Sequence, residues 1–233
     1  MDAVYLVRTG ANEELRYSLR SLAANIPHDR VWIVGACPTW LTGVRHLPSR
    51  ANKTKWGNLP RDLVAVAKQA DLSPTFSYWN DDFFALRPMP AIETYHRGPL
   101  SAYIGAKGAA CSNYIMGQRQ TLKLLRSWGY SEPLSYETHM PLVMDKAVAA
   151  EALERALKEG SAIRALAYRS LYGAVAGLAG EQIEDMKKTR PDAGIPEGWD
   201  WISTSDGSFA NGRVGREIRA MFPEPSQYER KQS

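Results

Sequence analysis

Over its first eighty residues the chain alternates short apolar runs with segments of helical period, and that alternation restricts the fold more than any other feature. "AVYLV" (Ala3 to Val7) is rich in strand formers, and the turn residues of "RTGAN" interrupt it. Asn12 suits a helix N-cap, and Glu13 and Glu14 then fall in the first turn, where acids favour the helix dipole. Leu15, Leu19, Leu22 and Ile26 recur at helical spacing and predict a helix to about Asn25, ended by Pro27. "VWIVG" (Val31 to Gly35) reads as a second strand and "VRHL" (Val44 to Leu47) as a shorter one. Leu63, Val66, Ala67 and Ala70 mark a helix beginning near Leu59 or Pro60. "FSYW" (Phe76 to Trp79) is a further strand. The order β-α-β-β-α-β predicts an α/β fold with a mostly parallel sheet covered by helices.

The second half is more helical. "GQRQTLKLLRSWG" supplies one helix, and "PLVMDKAVAAEALERALKEG" a longer one starting at Pro141, a favourable first-turn residue. "AIRALAYRSLYGAVAGLAG" is a third, weakened by Gly173 and Gly177. "RGPLSAYIGAKGAACSNYIMG" is glycine-rich and irregular. Near the end, "WDWISTSDGSFANGRVGREIRAMF" predicts a short strand, a turn around Asp206-Gly207 and a last helix. "PEPSQYERKQS" reads as a frayed tail. No repeat and no long linker divides the chain.

The 233 residues are enough for one substantial core. No apolar run is long enough to span a bilayer, and the N-terminus lacks the features of a cleaved leader. The expectation is a soluble, cytoplasmic chain with no membrane partner. A net charge of +4, scattered along the chain, permits nucleic-acid binding without indicating it. Cys37 and Cys111 have neither metal-ligand spacing nor a neighbouring histidine, and are expected to be buried free thiols.

The chemistry centres on "FSYWNDDFFALRP", where Asp81 and Asp82 stand between aromatic runs. Carboxylates are costly to bury without a partner. They fall at the carboxyl end of a strand, the edge where open α/β sheets bind ligands. In an extended strand Asn80 and Asp82 share a face and Asp81 points away. A carboxamide and a carboxylate presented together suit a metal ion with a hydroxyl or phosphate oxygen, although an arbitrary Asn-Asp-Asp is more often a strand-end turn. His139, just before Pro141, can turn into a cleft or serve as a surface cap. Asp206 stands at a second predicted strand end and is a candidate further metal ligand. For phosphates, Arg8 ends the first strand, and "RANKTKWGN" offers Arg50, Lys53, Lys55 and Asn58 in a loop before a helix. The chain has no phosphate-binding G-x-x-x-x-G-K-[ST] loop, no G-x-G-x-x-G after its first strand and no G-x-S-x-G elbow.

"NEELRYSLRSL", "YWNDDFFALRP" and "THMPLVMDK", in that order, resemble blocks of the Stealth family of sugar-phosphate transferases. "VYLVRTG" resembles an altered form of that family's first block, which reads like V-Y-T-W-V-D-G, and "STSDGSF" its last. The resemblance implies a nucleotide-diphosphosugar transferase fold of the GT-A type, a UDP-sugar donor and a divalent ion, Mn2+ or Mg2+. By position it implies Asp82 as metal ligand, Asp81 supporting the ion or the substrate, His139 as catalytic or metal-proximal, and Arg8 near the nucleotide. Where the family has V-D-G this chain has Val7-Arg8-Thr9-Gly10, so an acid is replaced.

Together these readings give a single domain over 1–233. Residues 1–90 form the nucleotide-sugar and metal half, 91–225 a more helical acceptor side and 226–233 a tail. The expected reaction is metal-dependent transfer of a sugar from a nucleotide-diphosphosugar to a hydroxyl on a protein, a glycan or a modified DNA base. Metal would sit on Asp82 and Asp206; His139 and Asp81 would be catalytic; Arg8, Lys53, Asn58 and Asn80 would hold the donor. The alternatives are sugar-1-phosphate transfer, a metal-dependent nuclease or phosphohydrolase, and a non-catalytic nucleic-acid or glycan-binding module.

Overall fold

The computed structural model describes residues 1–10, 12–49, 55–160 and 165–230, and over 55–57 the backbone alone. The first strand, β1 (Asp2–Val7), is buried throughout. It has apolar side chains on both faces, as a central parallel strand must. Val4 and Leu6 enter one core, and Ala3, Tyr5 and Val7 enter another across the sheet. The helix that follows, α1 (Glu13–Asn25), is capped by Asn12, whose side chain accepts from the Leu15 amide. It lays Leu15, Leu19 and Leu22 on the second core.

β2 (Val31–Gly35) and β3 (Arg45–Leu47) extend the sheet in parallel. α2 (Lys55–Ala67) begins earlier than its apolar spacing predicts and holds Pro60 inside it. A proline this close to a helix start removes one ladder bond. The buried face of Leu63, Val64, Val66 and Ala67 outweighs that loss. Lys55 and Asn58 are therefore helical residues and not part of a loop.

β4 (Thr75–Asn80) pairs with β1 in parallel on the side away from β2. The chain then turns through Asp81 and Asp82 into β5 (Phe83–Ala85). After β6 (Tyr95–His96) come α3 (Leu100–Gly105) and α4 (Asn113–Ser127), in a stretch the glycines had marked as irregular.

One prediction is overturned at Pro141. The residues after it form β7 (Leu142–Asp145), which adds antiparallel to β4. The helix, α5 (Lys146–Glu159), starts only after Asp145, which accepts from the amides of Ala147 at 2.8 Å and Val148 at 3.0 Å. An acid at the N-cap outcompeted a proline four residues upstream, and the apolar Leu142 and Met144 went to the sheet.

The central sheet has the order β3-β2-β1-β4-β7, with β7 alone reversed. Helices α2, α5 and α6 (Tyr168–Val175) cover one face, and α1 covers the other. β8 (Glu181–Gln182) pairs with β6. A second small sheet joins β5, β10 (Trp201–Thr204) and β9 (Lys187–Lys188). α7 (Asp206–Ala210) replaces the turn expected at Asp206, because Ser205 and Ser208 form a reciprocal capping box. α8 (Arg213–Met221) is the last helix.

Two further expectations are corrected. The C-terminal stretch is not frayed through residue 230: Tyr228 and Glu229 are buried, and Glu229 pairs with Arg20 and Arg16 of α1 at 2.7 and 2.6 Å. Residues 231–233 lie outside the described residues. Cys37 and Cys111 are free, as expected, but exposed.

Candidate active site

In an open α/β sheet, ligands bind beyond the carboxyl ends of the strands where the strand order reverses. Here that point lies between β1, whose successor β2 goes one way, and β4, which pairs on the other side. Arg8 follows the end of β1, and Asp81 and Asp82 follow the end of β4. The topology brings together the basic and acidic residues singled out in the sequence.

Arg8 grips Asp206 with both terminal nitrogens, at 2.9 and 2.6 Å. This planar fork matches a carboxylate. The same guanidinium lies 3.8 Å from Asp81 and 3.9 Å from Glu14. The Asp206 hydrogen bonds, which outweigh burial, raise the Arg8 pKa further, with the charges of Asp81, Asp206 and Glu14 adding to them. Asp81 also receives a hydrogen bond from Asn12, so the side chain that caps α1 serves the site with its amide nitrogen.

Asp82 is held differently. Its Oδ2 accepts from the Lys187 ammonium at 2.8 Å and from the Ser203 hydroxyl at 3.2 Å. Its Oδ1 is buried and accepts no hydrogen bond from the described residues. Asn80 does not join it. Its side chain accepts from the Tyr78 hydroxyl, on the face of β4 that packs toward Tyr168. The strand ends at Asn80, so the alternation that would align Asn80 with Asp82 stops two residues too soon.

Glu14 is buried on the first turn of α1 and accepts from the Thr204 hydroxyl at 2.6 Å. Its pKa is pushed up to about 7, by burial first and then by the charges of Asp82, Asp81 and Asp206, against the Thr204 bond. Three neighbouring carboxylates disfavour its ionisation, although Arg8 stands 3.9 Å away.

His139 stands in the left-handed backbone region, with φ of 51°, alone among the described non-glycine residues. For an L-residue this costs roughly 1 kcal/mol, and such strain gathers at functional sites. Its Nδ1 lies 2.8 Å from Asp185 Oδ1. Arg97 donates to Asp185 Oδ2 at 3.0 Å, and the Lys187 amide reaches Oδ1 at 3.3 Å. Burial works to raise the Asp185 pKa. The His139 hydrogen bond, the charges of His139 and Arg97, and the Lys187 amide overcome it and hold the carboxyl below the usual range. Lys187 thus touches both groups: its ammonium binds Asp82 and its amide binds the partner of His139.

Of the residues expected from sequence, Arg8, Asp81 and Asp206 form one cluster, and Asp82 is linked to Asp185, the partner of His139, through Lys187. Asn80 points elsewhere, and Asn58 is half-buried on α2. Lys53 lies outside the described residues. Sequence reasoning missed Glu14, Asp185 and Lys187. Glu14 had looked like an ordinary first-turn acid. Asp185 and Lys187 sit in "EDMKK", which reads as a solvated charge run until β9 places it against β10.

The described donor set for a divalent ion is small. Asp206 has both oxygens on Arg8, and among the described residues no three His, Cys, Asp or Glu side chains converge on one point. What fits is narrower: Asp82 Oδ1, which accepts no hydrogen bond from the described residues, would offer one carboxylate to an ion that takes its remaining ligands from water and phosphate.

The structure therefore defines an α/β protein with a mostly parallel sheet flanked by helices and a charged site at the sheet's reversal point. No family model matches the sequence, and no curated protein matches it. Among solved structures, the chain is similar to the apo form of the glycosyltransferase GlyE of Streptococcus pneumoniae TIGR4, at 8% identity and a TM-score of 0.42. The match covers 78% of this chain and 44% of that one, so this chain spans less than half of that protein's length. A likeness of this degree adds no weight to a functional reading. No described helix is long and apolar enough to cross a membrane.

Proposed function

We propose that this chain is a transferase that takes a sugar from a nucleotide-diphosphosugar, with UDP-sugars as the first donors to test, and passes it to a hydroxyl acceptor. The observation that carries this reading is Asp82 at the reversal point of the sheet, with one oxygen bound to Lys187 and the other buried without a partner among the described residues. A buried carboxylate oxygen left unbonded costs about 1–3 kcal/mol or more, and a ligand that satisfies it recovers that energy on binding. The resemblance of "YWNDDFFALRP" and "THMPLVMDK" to the Stealth blocks supports the same substrate class.

In this reading Arg8 and Lys187 are the described cations nearest the donor's diphosphate. Preorganised charges of this kind stabilise a leaving phosphate without having to reorganise during the reaction. A divalent ion bound through Asp82 Oδ1 would supply further neutralisation of that leaving group. His139 takes the proton of the acceptor hydroxyl on its Nε2, because Nδ1 is committed to Asp185. Asp81, held by Asn12 and near Arg8, lines the donor side of the cleft.

The test is incubation with a panel of nucleotide sugars and Mn2+ or Mg2+, read as donor hydrolysis in the absence of acceptor and as product mass in its presence. The reading predicts turnover that falls at least about 100-fold in Asp82→Ala. Product mass separates glycosyl from sugar-1-phosphate transfer, since the latter adds a phosphate. Full activity in Asp82→Ala, or nucleic-acid cleavage without any sugar donor, would overturn it.

A further inference from the structure

Asp185 has no role in any sequence motif singled out above, yet it accepts from three directed polar groups. Both of its oxygens are used. His139 Nδ1 and the Lys187 amide meet Oδ1, and Arg97 meets Oδ2. Arg97 is itself braced against the Tyr103 ring, at 4.6 Å, and its amide bonds the Ser135 carbonyl. An ionised carboxylate offers only acceptors, so the nitrogen of His139 facing it carries the proton. That leaves Nε2 as the basic nitrogen of the neutral ring.

The backbone points to the same conclusion. His139 adopts φ of 51°, in the left-handed region that residues with a Cβ uncommonly occupy, and Thr138 and Met140 on either side are buried. The Met140 carbonyl is anchored by the buried Arg169 guanidinium. The ring is thus aimed by two independent restraints, one on its backbone and one on its Nδ1. A surface histidine capping a helix would need neither, and the helix that follows starts only at Lys146, with Asp145 as its cap.

We propose that Asp185 is the positioning residue for His139: it fixes the Nδ1–H tautomer and presents Nε2 to the acceptor hydroxyl. This rests on the transferase reading for its catalytic consequence, although not for the tautomer itself. Proton accounting is simple. The acceptor O–H bond breaks as its oxygen bonds to the sugar, the proton goes to Nε2, and the electron pair of the broken sugar–phosphate bond leaves with the diphosphate. Asp185 stays ionised throughout. Because Lys187 binds Asp82 through its side chain and Asp185 through its amide, the short segment 185–187 sets the spacing between the base and the donor-side acid.

Nitrogen-15 NMR of the histidine rings provides a readout independent of activity, recorded at about pH 8.5, above the ordinary histidine range. His139→Gln assigns the signal among the four histidines. The proposal predicts a protonated Nδ1 and bare Nε2 for His139 in the wild type. In Asp185→Asn that preference is lost, kcat falls roughly 100-fold with donor KM changed less than about 3-fold, and Asp185→Glu restores part of both. If no sugar donor turns over in the wild type, the transferase reading fails, and the tautomer measurement still stands for or against Asp185. A His139 ring with Nε2 protonated in the wild type, or a folded Asp185→Asn with unchanged tautomer and kcat, overturns the proposal.

Discussion

The ammonium of Lys187 lies 2.8 Å from Asp82 Oδ2, although 105 residues separate them in sequence. The contact exists because β9 lies beside β10 and β10 pairs antiparallel with β5, the strand that Asp82 leads into. Removing the lysine leaves a carboxylate that is 13% exposed without its cation. Lys187→Met should therefore cost about 2 kcal/mol of stability, less than a fully buried pair because the lysine keeps some solvent. Chemical denaturation of the two proteins measures it. An unchanged midpoint would mean that Asp82 is solvated in the native state.

Glu14 gives the protein a pH dependence of defined sign. Its folded pKa, about 7, lies above the ordinary value of a glutamate carboxyl, so the folded state holds the proton more tightly. That stabilisation is complete below about pH 4.5 and is lost as pH rises through about 7, with a full span of order 3 kcal/mol. Stability should fall across this window in the wild type and fall less in Glu14→Gln. Parallel curves for the two proteins would contradict the assignment.

At the other end of the chain, Glu229 binds the buried Arg20 through both oxygens. Its carboxyl is held below the usual range: burial opposes ionisation, but the Arg20 hydrogen bonds, the Ser226 amide and Arg16 outweigh it. Glu229→Ala breaks a buried pair and should cost about 3 kcal/mol, or roughly 6–12 °C in Tm for a chain of this size. Calorimetry checks this, and a change under about 2 °C would show that the segment is not docked in solution.

Gly35 ends β2 with φ of 103°, and a Cβ there would stand 2.3 Å from the Val7 carbonyl oxygen, one residue before Arg8. Gly35→Ala should lose about 2 kcal/mol from strain in the left-handed region alone. Because it pushes on the end of β1, it should also weaken donor binding. A variant as stable as the wild type would contradict the close approach of the two strands.

Much of this arrangement was legible in the sequence. The central strands and α1 followed from apolar periodicity and the Asn12 cap, because burial on both sheet faces leaves a strong local signature. The place of Asp81 and Asp82 at a strand's carboxyl end followed as well. What was not legible depends on long-range pairing. Leu142 to Asp145 could join a helix or a sheet edge, and only the open side of β4 decides. Lys187 and Asp185 look like surface charges until β9 is set against β10, and Glu14 becomes a buried acid only when Thr204 arrives from a strand 190 residues away. The tail looked frayed because the buried residues described in it, Tyr228 and Glu229, are too few to show a period.

A crystal soaked with a UDP-sugar and Mn2+ tests the central claim most directly. The donor's diphosphate should lie beyond the ends of β1 and β4, with its oxygens within about 3 Å of the Arg8 or Lys187 nitrogens and Asp82 Oδ1 newly engaged. A nucleotide bound elsewhere, with Asp82 Oδ1 still without a partner, would contradict it.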